Sequence, residues 1–297
     1  MKRKSKLKRK EGIAGLLFVS PALIYFLFFF LLPLFICIYA GFTNWNILSV
    51  NRSWIGLRNY EKMFTDPKFW SALKNTLYML IPIPLYLMFA LGFAYCCHKK
   101  VLGEKVFRVV YYLPFISSVV ALVLIWKWLF NSQYGLVNNF LGILGIEGPD
   151  WLGDPVWTRR MIVIMITWKM IGIISIYYIA ALKSVPVTYY EAAELDGATS
   201  WQEFKKITLP ILTPTTFYLM VMGIIGSLQT FIEVQLFTED GGRNYGVGTI
   251  VYYIWQKAFD SSQMGYACAV AGIFGLFILL LTVIQFAVSR KWVYGGE

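Results

Sequence analysis

Five stretches of the chain, residues 13–42, 77–97, 109–126, 211–232 and 264–289, contain no Asp, Glu, Lys or Arg, and a sixth, 161–182, contains only Lys169. A helix that rises about 1.5 Å per residue needs roughly 20 apolar residues to cross the hydrocarbon core of a bilayer. Each stretch is near or above that length, so the pattern predicts six transmembrane helices. Composition agrees, because 14% of the residues are charged against about 25% in an ordinary soluble domain. A closed β-barrel also satisfies a backbone in lipid, but it is written as short alternating segments, and these runs are continuous. The expected fold class is an all-α membrane protein.

The net charge of +11 would suit a nucleic-acid partner if it were gathered into one patch, yet it follows the spans instead. Seven Lys and Arg lie in residues 1–10, four in 98–108, three in 183–210 and two after residue 289, which puts sixteen on one side of the predicted membrane and ten on the other. Lys and Arg collect on the cytoplasmic side, so both termini are expected there. The first apolar run is far longer than the core of a signal peptide, about 7 to 15 residues, and reads as an uncleaved first helix. Cys37, Cys96, Cys97 and Cys268 lie in spans or at their cytoplasmic ends. They suggest neither a disulfide framework nor a zinc site, so no cofactor or metal is expected.

Trp45, Trp126 and Trp128 at outer span ends, with Trp292 and Tyr294 at an inner end, read as interfacial anchors. The outer connections 43–74, 127–160 and 233–260 are too short for separate domains, so residues 1–297 are expected to form a single membrane domain. Pro33, Pro82, Pro84, Pro114 and Pro214 predict kinks.

The cytoplasmic connection 183–210 carries the clearest punctuation. Thr188-Tyr189-Tyr190-Glu191 and Ser200-Trp201-Gln202-Glu203 each fit a capping box, Gly197 supplies a left-handed residue between them, and Pro210 is expected to close the second helix. The resulting bent element offers Ala192, Ala193, Leu195, Ala198 and Phe204 to a partner protein or to lipid head groups.

The spacing of Glu191-Ala192-Ala193, Gly197, Ile207 and Leu209-Pro210, with Asp196 and Ala198 beside the glycine, matches the loop signature of ABC importer permeases. The chain resembles the carbohydrate-uptake branch of that family over nearly its whole length. Ser20-Pro21-Ala22, Phe42-Thr43-Asn44-Trp45, Gly56-Leu57-Arg58-Asn59-Tyr60, Tyr112-Leu113-Pro114 and Gly265-Tyr266-Ala267 belong to the same pattern. One departure is Thr238-Glu239-Asp240-Gly241-Gly242-Arg243, where Arg243 stands in the position of an expected proline.

The resemblance implies a type I permease fold in a bacterial cytoplasmic membrane and import of a sugar or oligosaccharide. It implies that loop 183–210 docks on a cytoplasmic ATPase, and that the assembly holds two permeases, two ATPases and an extracytoplasmic solute-binding protein. The chain would then be a pore-forming subunit and not an enzyme. In keeping with this, the sequence contains no Gly-x-x-x-x-Gly-Lys-Ser/Thr phosphate loop.

Gly223, Ser227 and Thr230 recur at helical spacing and are expected on one face of the fifth span, with Gln229 nearby. They are candidates for a solute path, although small and hydroxyl residues in membrane helices are more often packing contacts than ligands. Lys169 within the fourth span calls for a partner, water or snorkelling to the boundary, and Glu233 is the nearest plausible carboxylate. So little charge in the spans favours a neutral solute over an ion. An intramembrane enzyme would need a nucleophile with its base, and the only histidine, His98, stands beside Lys99 and Lys100 at the cytoplasmic edge. A channel or secondary transporter is the alternative reading.

Overall fold

A computed structural model describes the backbone of residues 2–49, 52–98 and 104–295, and the side chains of 12–49, 52–97 and 109–295. Helix α1 (Lys2–Phe26) runs through a π-helical turn, Leu27–Leu31, into α2 (Leu32–Gly41). Two short helices, α3 (Arg58–Thr65) and α4 (Pro67–Tyr78), lead to α5 (Pro82–His98). Next come α6 (Glu104–Ile116), α7 (Val119–Leu129), the short α8 (Leu136–Ile143) and the long α9 (Pro155–Lys183). Helices α10 (Val187–Leu195) and α11 (Ser200–Glu203) precede α12 (Leu209–Leu228), followed by α13 (Ile232–Phe237), α14 (Ile250–Trp255) and α15 (Met264–Ser289). Among the described residues there is no β-strand, only an isolated bridge between Thr43 and Trp54.

Among the described residues, five of the helical runs are long and apolar enough to cross a membrane, and a sixth span exists if α6 and α7 are counted together. This third stretch is not the continuous helix expected over 109–126. It bends by 104° between Ile116 and Val119. Pro114 has no N–H to give, the Ser117 hydroxyl caps the Leu113 carbonyl at 2.9 Å, and Ser118 is extended at ψ 130°.

Two prolines are absorbed by one device. Leu32 N–H reaches back five residues to the Leu27 carbonyl just before Pro33, and Leu209 N–H reaches the Phe204 carbonyl just before Pro210. Proline can neither donate nor sit against the carbonyl four residues back, and the wider turn ahead of it makes room for the ring. Pro210 therefore does not close a helix. Residues Ser200–Leu228 form one 29-residue helical run.

The described residues fall into two compact units. One comprises Met1–Thr65 with Ile254–Phe274. In it three landmarks far apart in sequence converge: buried Asn59 donates to the carbonyls of Gly41 (2.8 Å) and Thr43 (2.9 Å), and Gly265 N–H donates to the Trp45 carbonyl at 2.8 Å. A Cβ at Gly265 would stand 2.2 Å from the Thr43 oxygen, so only glycine admits the approach. Large apolar side chains along α1 and α2, such as Phe18, Phe29 and Phe35, are exposed and await lipid or protein.

The other unit comprises Asp66–Tyr253 with Gly275–Glu297. Its core joins α5, α9 and α12 through Tyr86, Leu87, Ala90, Ala94, Ile174, Tyr178, Leu182, Leu212 and Leu219. Small residues let these helices meet closely, as membrane packing favours. Ala90 on α5 faces Ser175 on α9, whose hydroxyl lies 3.4 Å from the Ala90 carbonyl, and a Cβ at Gly172 of α9 would lie 2.0 Å from the Tyr111 carbonyl of α6. Half of the most apolar window of α9 is buried, a larger share than in the four other unbroken spans among the described residues, so α9 is the post about which this unit is built.

Candidate functional site: a coupling loop and an intramembrane cavity

The connection after α9 turns on Gly197, which sits at φ +72°. Gly197 N–H donates to Glu194 O at 3.0 Å and Ala198 N–H to Ala193 O at 2.9 Å, the paired bonds of a Schellman termination that satisfy two orphan carbonyls of α10. The capping expected on either side is shifted. Helix α10 begins at Val187 after Pro186, with no side-chain cap, because the proline's fixed φ moves the N-cap from Thr188 back to Pro186 and places Thr188 inside the first turn. The second box belongs to Thr199 and not to Ser200: Thr199 N–H donates to Gln202 Oε1 at 2.7 Å, and Gln202 N–H donates to Thr199 Oγ1 at 3.4 Å.

Aromatic contacts hold this loop to the end of α5. Tyr95 O–H donates to the Ser200 carbonyl at 3.3 Å, the Tyr95 ring lies 4.8 Å from Phe204, and Phe204 stacks on Trp201 at 5.6 Å. Tyr190 and Thr208 share a hydroxyl hydrogen bond of 3.0 Å across the hinge. Ala193, Asp196, Gly197, Ala198 and Ile207 line a groove of about 340 Å³ together with Gln202, Glu203 and Lys206. Glu191 and Ala192 lie exposed on α10, while Leu209 and Pro210 begin α12. Leu195 is 90% exposed and Trp201, although stacked on Phe204, is 68% exposed, which leaves apolar surface for a partner to cover.

A second concavity, about 730 Å³, opens among α5, α9 and α12. This is the size of a site for a small organic molecule. Gly223, Ser227, Gln229, Thr230 and Lys169 all line it, so the structure brings the five candidate path residues together. The expected geometry needs one correction. Helix α12 ends at Leu228, so Thr230 is not on a shared helical face with Gly223 and Ser227; the chain breaks at Gln229–Phe231, where Phe231 has φ −136°. The Thr230 hydroxyl is spent on the Ser227 carbonyl at 2.8 Å, whereas the Gln229 side chain is exposed. Gly223 serves packing, since a Cβ there would lie 2.0 Å from the Tyr86 hydroxyl.

Lys169 Nζ lies 3.3 Å from Glu233 Oε1, with 14% of each side chain exposed. The break after α12 is what turns Glu233 toward α9, and Lys127 Nζ donates to the Leu236 carbonyl at 3.1 Å, fixing α13 from a second side. The cavity also takes Phe115 and Tyr177 from neighbouring spans and Tyr218 from α12, none of which shares the Gly223–Ser227 spacing that marks the candidates in the sequence. Tyr177 and Tyr218 meet edge to face at 6.3 Å. Tyrosines within otherwise apolar spans, each with a hydroxyl to satisfy, are the signal in the sequence that points to them.

In the connection between α13 and α14, Gly241 and Gly242 have φ +78° and +79°, and Arg243 is exposed at the start of a short turn. Tyr245 is packed between Gly241 and Gly248, and burial pushes its phenol well above the usual tyrosine range. Asn75 ties this segment down, donating to the carbonyls of Tyr245 and Gly248 at 3.0 Å each while accepting from Arg159 at 2.8 Å.

Residues 87–294 match the family described as binding-protein-dependent transport system inner membrane component. The chain is 36% identical over 298 residues to the probable ABC transporter permease protein YesP of Bacillus subtilis, covering 98% of this chain and 95% of the relative. It is 34% identical to the lactose transport system permease protein LacF of Rhizobium radiobacter, covering 97% and 98%. Among solved structures, a chain of a bacterial ABC transporter that imports the acidic polysaccharide alginate superimposes with a TM-score of 0.82 at 26% identity, covering 98% of this chain and 99% of that one.

Proposed function

The chain belongs to the binding-protein-dependent transport system inner membrane component family, and on that premise we propose how its two sites divide the work of import. It is a multi-pass permease subunit of an ABC importer for a sugar or oligosaccharide, working with a second permease, a solute-binding protein and ATP hydrolysis in a separate subunit. The cavity among α5, α9 and α12 is the part of the solute path this chain provides. Aromatic rings offer faces to a pyranose, and Gln229 with the Lys169–Glu233 pair offers hydrogen bonds to its hydroxyls.

Loop 183–210 is the ATPase-docking element of one permease domain. The observation that carries this reading is the exposed pair Leu195 and Trp201 flanking the left-handed Gly197, an ordered apolar knuckle that needs a groove to enter. The 16 to 10 distribution of Lys and Arg supports placing this loop and both termini in the cytoplasm of a bacterial cell.

The test is reconstitution of the permease pair with its ATPase and saccharide-loaded binding protein in proteoliposomes. Uptake of labelled sugar should require ATP and the ATPase. Uptake that persists without the ATPase would mark a channel or secondary carrier instead.

A further inference from the structure

The relatives handle saccharides of different charge, since lactose is neutral and alginate acidic, and the cavity of this chain holds a feature that bears on the choice. Of its lining residues among those described, only Lys169 and Glu233 are charged, and they pair with each other at 3.3 Å. We propose that the Lys169–Glu233 pair sets the charge selectivity of the cavity, admitting neutral saccharides and rejecting the corresponding uronates, with Glu233 the discriminating residue. This rests on reading the cavity as a saccharide path.

The argument is electrostatic. With the two charges paired, a neutral sugar meets local dipoles but no net charge and can hydrogen-bond to either head group. A uronate carboxylate entering the same space must leave water, and its attraction to the Lys169 ammonium is offset by repulsion from the Glu233 carboxylate beside it. The remaining walls, Phe115, Tyr177, Tyr218, Met170 and Met222, carry no cation to compensate. Removing the Glu233 charge leaves the Lys169 ammonium as the sole charge in a mostly apolar pocket, where a carboxylate is its natural partner. A hydrogen bond to a charged group then favours the acid by about ten- to a hundredfold.

The pair is also placed to serve structure, because it holds α13 to α9. A purely structural role would change affinity for both kinds of sugar alike, so the informative quantity is the ratio of acid to neutral affinity. The experiment uses the complete importer in nanodiscs without its binding protein, so that only the membrane cavity selects. Equilibrium dialysis measures labelled cellobiose, maltose and lactose, each beside the aldobiouronic acid of the same linkage.

The wild type should prefer the neutral member of a pair. Glu233→Gln should raise the acid-to-neutral ratio by about ten- to a hundredfold. The double variant Lys169→Met with Glu233→Gln, which leaves no unpaired charge, should lose that gain. An unchanged ratio in Glu233→Gln, or a gain that survives in the double variant, would overturn the inference while leaving the saccharide reading intact. A wild-type complex that binds neither member of any pair would overturn the saccharide reading itself, and the charge inference with it.

Discussion

At the residue scale, positions that read alike in sequence prove unlike in role. Gly223, Ser227 and Thr230 share a spacing, but Gly223 yields space to Tyr86, Thr230 spends its hydroxyl on its own backbone, and the neighbouring Gln229 is the exposed polar group. Gly223→Ala should overpack the contact with the Tyr86 hydroxyl and cost about 1–3 kcal/mol, read as a lower melting temperature of the purified complex. Adding Tyr86→Phe should recover most of the loss, because the nearest remaining atom, Cζ, stands 3.3 Å from the added Cβ. No recovery would mean that the glycine answers to something other than that hydroxyl. Lys169 was legible as a residue in need of a partner because an unpaired cation in a span is expensive. The rings of Tyr177 and Tyr218 were not, because Tyr177 comes from a neighbouring span and Tyr218, though on α12, falls off the Gly223–Ser227 spacing.

At the element scale, most helices were written plainly. The sixth span runs over Met264–Ser289 as the apolar run dictates, and Gly197 terminates α10 as a left-handed residue. Register at helix starts was less legible, since Thr199 and Ser200 are both good caps and only the three-dimensional turn after Gly197 chooses between them. Thr199→Ala should therefore cost about 1 kcal/mol of local stability, seen as faster hydrogen exchange of amides 200–203. Ser200→Ala and Thr188→Ala should leave exchange there near wild type. If Ser200→Ala is instead the more damaging change, the cap assignment is wrong. The bend between α6 and α7 and the run from Ser200 to Leu228 escaped the sequence for a related reason. Apolar composition marks the material of a span but is silent on whether a proline breaks the helix or is absorbed by a π-helical turn.

At the scale of the whole molecule, orientation and coupling are the claims that matter. In a background lacking the four native cysteines, an impermeant thiol reagent applied to intact cells should label Ile146→Cys and spare Ser200→Cys; the reverse pattern would invert the topology. On the reading proposed above, coupling would depend on the exposed knuckle of α10 and α11 keeping its shape while the ATPase moves it, and on Tyr95 and Phe204 passing that motion to α5, whose Tyr86 lines the cavity. Gly197 is the point where this chain of contacts can be cut without disturbing a span, for a side chain there meets open space and only the backbone objects. Valine at φ +72° carries strain of about 1–3 kcal/mol, enough to shift the loop but too little to unfold the membrane helices. The most direct test is solute-stimulated ATP hydrolysis by the reconstituted importer. Gly197→Val should reach the membrane at normal levels yet leave hydrolysis at its unstimulated rate, with Gly197→Asn, which tolerates the left-handed region, retaining most of the stimulation. Full stimulation in Gly197→Val at equal permease content would contradict the account.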